Sequence, residues 1–277
     1  MPVVALTQGM GSLAQDVAEQ LAAELNLATL QHEVAERVAE KMHVPKSLIS
    51  RLRAGKAGPL ERLTADRAAM ALYSAEEVLE AAAHGNVVLR GWGATLLLRQ
   101  VPHVPCVRIM RAFDKRVEWL MAQLGTDDRE LAENEIRRSD HSNATRMNEQ
   151  FGVHWGDPAL FDMVLNTDRL SVDTCVQQIK SLLVRPEFAE TDASRAMLQG
   201  LALSARVRSA LRSEAATAEV DVTIEASGGA VALRGIVVAA DEREAAERIA
   251  SAVPGVALVD NQLRVMAKSR LFPSARA

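Results

Sequence analysis

Aromatic residues are scarce: five Phe, three Trp and one Tyr make up 3% of the 277 residues. So few rings leave no stacking platform for single-stranded nucleic acid, and Ala, Leu and Val must fill the core instead. Cysteine is nearly absent. Cys106 and Cys175 stand far apart, with no Cys-x-x-Cys and no His at metal spacing from either, which argues against a disulfide framework and a structural zinc site. Charge of one sign is not in large excess. At a net −4, no global field draws the chain to nucleic acid or to an anionic membrane. Long apolar runs are missing as well, since stretches such as Ala94 to Leu98 fall far short of a membrane span. The first twelve residues carry no basic segment before their short apolar run and no signal-peptidase pattern. The expectation is a soluble, reduced, cytoplasmic protein with no transmembrane segment and no nucleic-acid partner. His141 and His154 lie at no metal-ligand spacing, and no Ser-His-Asp or Cys-His nucleophile pattern is readable.

What is present can build a core: 48% of residues are hydrophobic and 25% charged, and the length favours two domains. Pro2 to Leu6 reads as a short buried strand, followed by the small-residue loop Thr7-Gln-Gly-Met-Gly-Ser12 and a helical stripe at Leu13, Val17 and Leu21. Such a strand-turn-helix unit presents backbone N–H groups to a phosphate. A helix is expected over 31–42, an irregular basic segment over 47–67, and a helix opened by a Ser74/Glu77 capping box and stopped at Gly85. Strands are expected at 86–89, 104–110 and 161–166. Helices are expected up to Leu98 and over 113–124, 127–150 and 172–184. Strands alternating with helices in this way predict a parallel sheet covered on both faces. Arg185-Pro186 to about Thr191 reads as a linker. Beyond it a helix to Leu211, strands near 220–225 and 231–237 joined at Gly228-Gly229, a helix from Asp241 to 252 and a last strand or strands give a small α+β domain.

The second domain resembles the BON domain through Val231-Ala-Leu-Arg-Gly235, residues 242–250, and Val253-Pro-Gly-Val256 followed by Val259-Asp-Asn-Gln-Leu263. The resemblance implies a non-catalytic module that binds a ligand, a membrane surface or a protein partner. The first domain resembles the cytidylate-kinase-like family, relatives of the nucleoside-monophosphate kinases on the P-loop fold. Trp155-Gly-Asp-Pro158, Asp162-Met-Val-Leu-Asn-Thr167 with Arg169-Leu170, and the basic segment from Arg137 through Asp140 to Arg146 carry it. The fold so implied is an α/β, P-loop kinase-like parallel sheet over 1–184, a linker at 185–200, a small αββαβ domain at 201–268 and a tail at 269–277.

The resemblance implies a protein that binds a nucleotide or another small phosphorylated ligand, with ATP and Mg²⁺ as cofactors. Its activity would be transfer of the ATP γ-phosphate to a nucleoside monophosphate of the CMP/dCMP class. A catalytically weak or inactive nucleotide sensor is the alternative. Gly9, Gly11 and Ser12 would hold donor phosphates, and Arg137, Arg138, Asp140 and Arg146 occupy the position of the phosphate-clamping lid. Arg53 and Lys56 in the basic segment, Arg90 and Gly91, and Asp157 would serve the acceptor. Asp16 would meet Mg²⁺ through water. Each has a plainer reading: a βα turn with Ser12 as helix cap, a solvated charged face, a mobile loop, a structural turn, or a carboxylate favouring a helix dipole. Two departures stand out. A working P-loop has Lys at the position of Ala14. Relatives have Gly-Arg-Gly where this chain has Gly91-Trp92-Gly93. Arg90 substitutes for that missing arginine only if the strand end puts 90 and 92 on one face.

Overall fold

The computed structural model describes residues 1–30 and 32–266. They divide into two compact units, a first through Leu198 and a second from Gln199.

The first unit is built on β1 (Val3–Gln8), whose run Val3 to Leu6 is almost fully buried, as a strand covered on both faces requires. With β2 (Ala28–Leu30), β3 (Val87–Arg90), β4 (Cys106–Met110) and β5 (Met163–Asn166) it forms an all-parallel sheet of order β2-β3-β1-β4-β5. Helix α1 (Ala14–Leu25) returns the chain from β1. Then come α2 (His32–Lys41), α3 (Lys46–Arg53), α4 (Pro59–Thr64) and α5 (Arg67–His84) before β3, and α6 (Ala94–Leu98) before β4. Helices α7 (Phe113–Leu124) and α8 (Arg129–Phe151) lie between β4 and β5, and α9 (Val172–Leu183) follows. The central core joins Leu6, Val88 and Ile109 of the sheet to Val17 and Leu21 of α1 and Val176 and Ile179 of α9. Because all five strands run the same way, the segments leaving their carboxyl ends gather along one edge of the sheet, where ligands bind in such folds.

Three expectations change. Residues 47–67 are mostly helical: Pro45 starts α3, the fully buried Ile49 pins it, and Pro59 opens α4. Gly55, at φ 69°, makes the break between the two. The long helix begins at Arg67 rather than Ser74, because Asp66 accepts a hydrogen bond from the Ala69 N–H. Ser74 lies mid-helix, donating back to the Met70 carbonyl, and Glu77 is buried against Lys41 and Arg37. β4 begins only at Cys106, where the Asp162 carboxylate accepts its N–H at 2.7 Å.

His103 is buried in this unit, its Nδ1 2.8 Å from Ser194 Oγ in the first turn of α10 (Asp192–Ser213). Burial holds the imidazole below its ordinary 6.5. Glu190 opposes this, while the Met1 amino group and Arg195 add to it. A base whose folded pKa is depressed binds its proton more readily when unfolded, so its contribution to stability is present above about pH 6.5 and is lost as the pH falls below it. In urea unfolding at pH 7 and pH 5, His103→Gln should show a smaller acid-side loss than the native chain. An unchanged difference would remove this role.

The second unit joins β6 (Val222–Ser227), β7 (Ala230–Val237) and β8 (Leu258–Val265), β6 antiparallel and β8 parallel to β7. Gly228 and Gly229, both at positive φ, make the tight hairpin turn. The part of α10 in this unit and α11 (Ala240–Ala252) cover one face, with Val207, Leu233, Ala246 and Ala250 buried between them and the sheet. The cap of α11 differs from expectation. The helix starts from Ala239 at its cap position, ahead of Asp241, and Glu242 reaches back to accept the Val238 N–H at 2.8 Å. The last strand is single.

Candidate functional site

Between β1 and α1 the chain turns through Gly9 to Leu13, with Gly11 at φ 77° and Leu13 at φ 58°. Leu13 stands at the cap position of α1 and no side chain caps the helix, so its first N–H groups have no side-chain partner. The hydroxyl of Ser12 therefore does not cap α1. It is buried without a hydrogen-bond partner, while the Ser12 carbonyl accepts from Thr167 Oγ1 at 2.9 Å. That bond ties the loop to the segment after β5. Ala14, where a P-loop lysine would stand, is 2% exposed and packs into the central core. No cation can leave the loop from there.

Arg116, in the first turn of α7, lies over this loop. A Cβ on Gly9 would come within 3.0 Å of its guanidinium, and Nε donates to the Met10 carbonyl at 2.6 Å. The two terminal nitrogens donate to both oxygens of Asp140 on α8, at 2.9 and 2.7 Å. Sequence reasoning missed Arg116. It lies there because β4 neighbours β1 in parallel, which sets the first turn after β4 beside the loop after β1, and no sequence pattern displays that order.

A second group of cations gathers at the end of β3. Arg53, from the last turn of α3, stacks over the Trp92 indole 3.4 Å from the ring centre. It lies close enough to Gly91 that a Cβ there would meet its Nη2 at 3.4 Å. Burial, followed by the charges of Arg146 and Arg90, pushes the Arg53 pKa down to about 9. Burial also lowers Arg90, against the pull of Glu19 and Asp16, and lowers Arg146, against Glu149. Arg146 donates to the Arg53 carbonyl at 3.0 Å and to Asn143 at 2.5 Å. None of the three makes an ion pair with a carboxylate among the described residues. Trp92, itself at φ 57°, serves as the surface on which Arg53 rests.

The other expected site residues divide. Arg138 lines a cavity of about 860 Å³ between α5 and α8 and is paired with Glu135. The cavity also takes in Arg62 and Arg146, and its apolar wall is Leu52, Leu72, Ala75 and Leu97. Lys56 is tied to Glu135 at 2.8 Å, and neither residue lines the cavity. Arg137 is absent from the cavity: it is largely exposed and lies 4.4 Å from the Phe113 ring centre, beside Glu133. The Asp157 carboxylate caps a single 3-10 turn, accepting from the Ala159 N–H at 2.9 Å. Its neighbour Trp155 is stacked against Arg108. Asp16 is exposed in the first turn of α1. The described residues contain no group of three acidic, His or Cys side chains placed to hold a metal.

The site thus has a glycine loop under one clamped arginine, an arginine group without an ion-paired carboxylate among the described residues, and a cavity large enough for a small organic ligand. No helix of the described residues is long and apolar enough to cross a membrane. No curated protein matches the chain. Among solved structures, an uncharacterised protein from Eubacterium ventriosum is 19% identical, with 67% of this chain and all of that one covered and a TM-score of 0.53. A shikimate kinase from Bacteroides thetaiotaomicron is 17% identical over 66% of this chain and 98% of its own, with a TM-score of 0.42. Residues 201–267 match the BON domain. Residues 3–169 match the model of the cytidylate kinase-like family, and the chain belongs to that family and carries a BON domain after it.

Proposed function

We propose that the first unit binds a nucleoside triphosphate at Gly9, Gly11 and Ser12 and passes its γ-phosphate to a phosphorylated small acceptor of the CMP/dCMP class held in the cavity. The observation that carries this reading is the group Arg53, Arg90 and Arg146, three half-buried guanidiniums at the end of β3 that make no ion pair with a carboxylate among the described residues. Buried like charges are costly unless an anion joins them, and an acceptor phosphate supplies that anion with fork geometry that arginine matches. Transfer moves the γ-phosphoryl group to the acceptor oxygen and leaves a diphosphate. Its loose transition state is stabilised by positioned cations, for which Arg138 and Arg146 on α8 are the candidates. A divalent cation carried by the triphosphate would neutralise part of its charge.

The buried Ala14 favours a second reading. Without a lysine in the loop, turnover is slow, and the unit senses a nucleotide while the BON domain engages a ligand, a membrane surface or a protein. One measurement addresses both. Thermal unfolding of the full chain is followed with ATP, CMP, dCMP, UMP and AMP, with and without Mg²⁺, before turnover is assayed. A ligand at 100 times its dissociation constant stabilises by about 2.7 kcal/mol. A shift with CMP or dCMP that disappears in Arg53→Gln/Arg146→Gln, while the ATP shift persists, supports acceptor binding at the cluster. Turnover then separates kinase from sensor. No shift with any nucleotide removes both readings.

A further inference from the structure

We infer that Arg116 is the cation standing in for the absent loop lysine, and that the Asp140 carboxylate occupies it until a donor phosphate takes its place. The inference rests on the phosphate-binding reading of the loop given above. Its ground is the geometry of one side chain. The Arg116 guanidinium packs on Gly9, where a Cβ would come within 3.0 Å of it, and the Arg116 backbone rests on Gly11, where a Cβ would meet it at 3.2 Å. Gly11 therefore lets the α7 backbone approach, and Gly9 leaves room for the guanidinium. The bond from Nε to the Met10 carbonyl fixes the plane of the group. Its remaining N–H pair is presented to Asp140 as two parallel bonds, the arrangement that a phosphate also accepts.

Two independent features point to an anion in the same place. The Ser12 hydroxyl is buried without a partner in the loop, and a hydroxyl so placed is a donor awaiting an acceptor. Arg108 is a second cation near the pair. Burial lowers its pKa, the charge of Asp140 resists that, and Arg116 adds to it. One carboxylate thus faces two guanidiniums, and the local balance stays positive. A triphosphate brings more negative charge than Asp140 and can take over the Arg116 fork. Asp140 sits on α8 between Arg138 and Arg146, so its release removes one tie between α7 and the helix that carries the cavity cations. Arg116 is then a phosphate-binding residue, and Asp140 a positioning residue that links donor arrival to the acceptor side.

The test is equilibrium binding of ATP and of inorganic tripolyphosphate to the full chain at fixed ionic strength, with a melting curve for each variant. Asp140→Asn keeps the shape but weakens the hold on Arg116, and should bind ATP at least about tenfold more tightly than the native chain. Arg116→Gln should bind it at least about tenfold more weakly, and Arg116→Lys should recover part of the loss. Opposite signs for the two positions are the signature, because a purely structural pair would weaken binding from either side. If both Asp140→Asn and Arg116→Gln weaken ATP alongside a lower melting temperature, or if Asp140→Asn gains nothing, the inference falls. ATP binding that ignores both substitutions overturns it and leaves the proposed function standing. Failure of the native chain and of Asp140→Asn to bind either probe removes the phosphate-binding reading as well.

Discussion

Replacing Lys41 by Met should destabilise the first unit by about 3–5 kcal/mol at pH 7, the usual cost of stripping one partner from a buried ion pair. Lys41 Nζ lies 2.5 Å from Glu76 and 2.8 Å from Glu77, and Arg37 adds a 3.0 Å contact to Glu77. Both carboxylates are under a tenth exposed. Burial works to lower the Lys41 pKa, but the hydrogen bonds from Glu76 and Glu77 outweigh it, and the ammonium sits above its ordinary value. The contribution of the lysine is therefore complete throughout the neutral range and fades only above about pH 10.4. In the variant, Glu77 keeps its contact with Arg37, whereas Glu76 is left buried without an ion-pair partner among the described residues. Urea unfolding at pH 7 and pH 5 checks this: the variant's deficit should shrink at pH 5, and adding Glu76→Gln should recover a large part of it. A deficit below about 1 kcal/mol at pH 7, the range of an exposed pair, would show that the cluster behaves as a surface one.

Gly200→Ala should have a large effect in the second unit, and with the opposite sign to helix propensity. Alanine in a helix interior is ordinarily better than glycine by about 1 kcal/mol. Here a Cβ would lie 2.3 Å from the Ala226 carbonyl oxygen, a backbone atom of β6 that cannot rotate aside. Either α10 moves off the sheet or β6 bends, and both disturb the buried layer formed by Val207, Ile224 and Leu233. Overpacking of this kind costs about 1–3 kcal/mol. Amide hydrogen exchange of the full chain should show β6 and β7 losing protection while β1 and β4 keep theirs. Equal or greater protection of β6 would mean that the helix and sheet part without penalty.

Much of the fold was legible because the signals were local and strong. Val3 to Leu6 is a buried strand and reads as one, Gly125 ends α7 where a glycine with positive φ is expected, and the apolar stripe of α1 is buried as its spacing requires. What failed depended on distant partners. Ser74 and Glu77 have the spacing of a capping box, yet the helix extends upstream because Asp66 caps it and α2 supplies Lys41 and Arg37 to Glu77. The segment 47–67 looked irregular because its glycines and charges hid Ile49, whose burial depends on α2 and α5 packing around it. β2 has three residues, too few for a period to show. At the site, Arg53, Arg138 and Arg146 were found through the family resemblance, and the structure brings Arg53 and Arg146 together. Arg116 escaped because its position over Gly9 comes from strand order, which no stretch of sequence displays.

That strand order also bears on how the chain is made. β1 is the centre of the sheet, yet its partners lie far downstream: Val3 pairs with Val87, and Ala5 with Cys106. At ribosomal rates of about 5–20 residues per second, the first apolar strand waits roughly 4–17 seconds before even one neighbour exists. Pairing at such sequence distance is slow in itself. The hairpin of β6 and β7, joined by two glycines, is available almost as soon as it is synthesised. The amino-terminal segment is therefore the part of the nascent polypeptide most in need of a chaperone's cover, although it becomes the most deeply buried strand of the finished sheet.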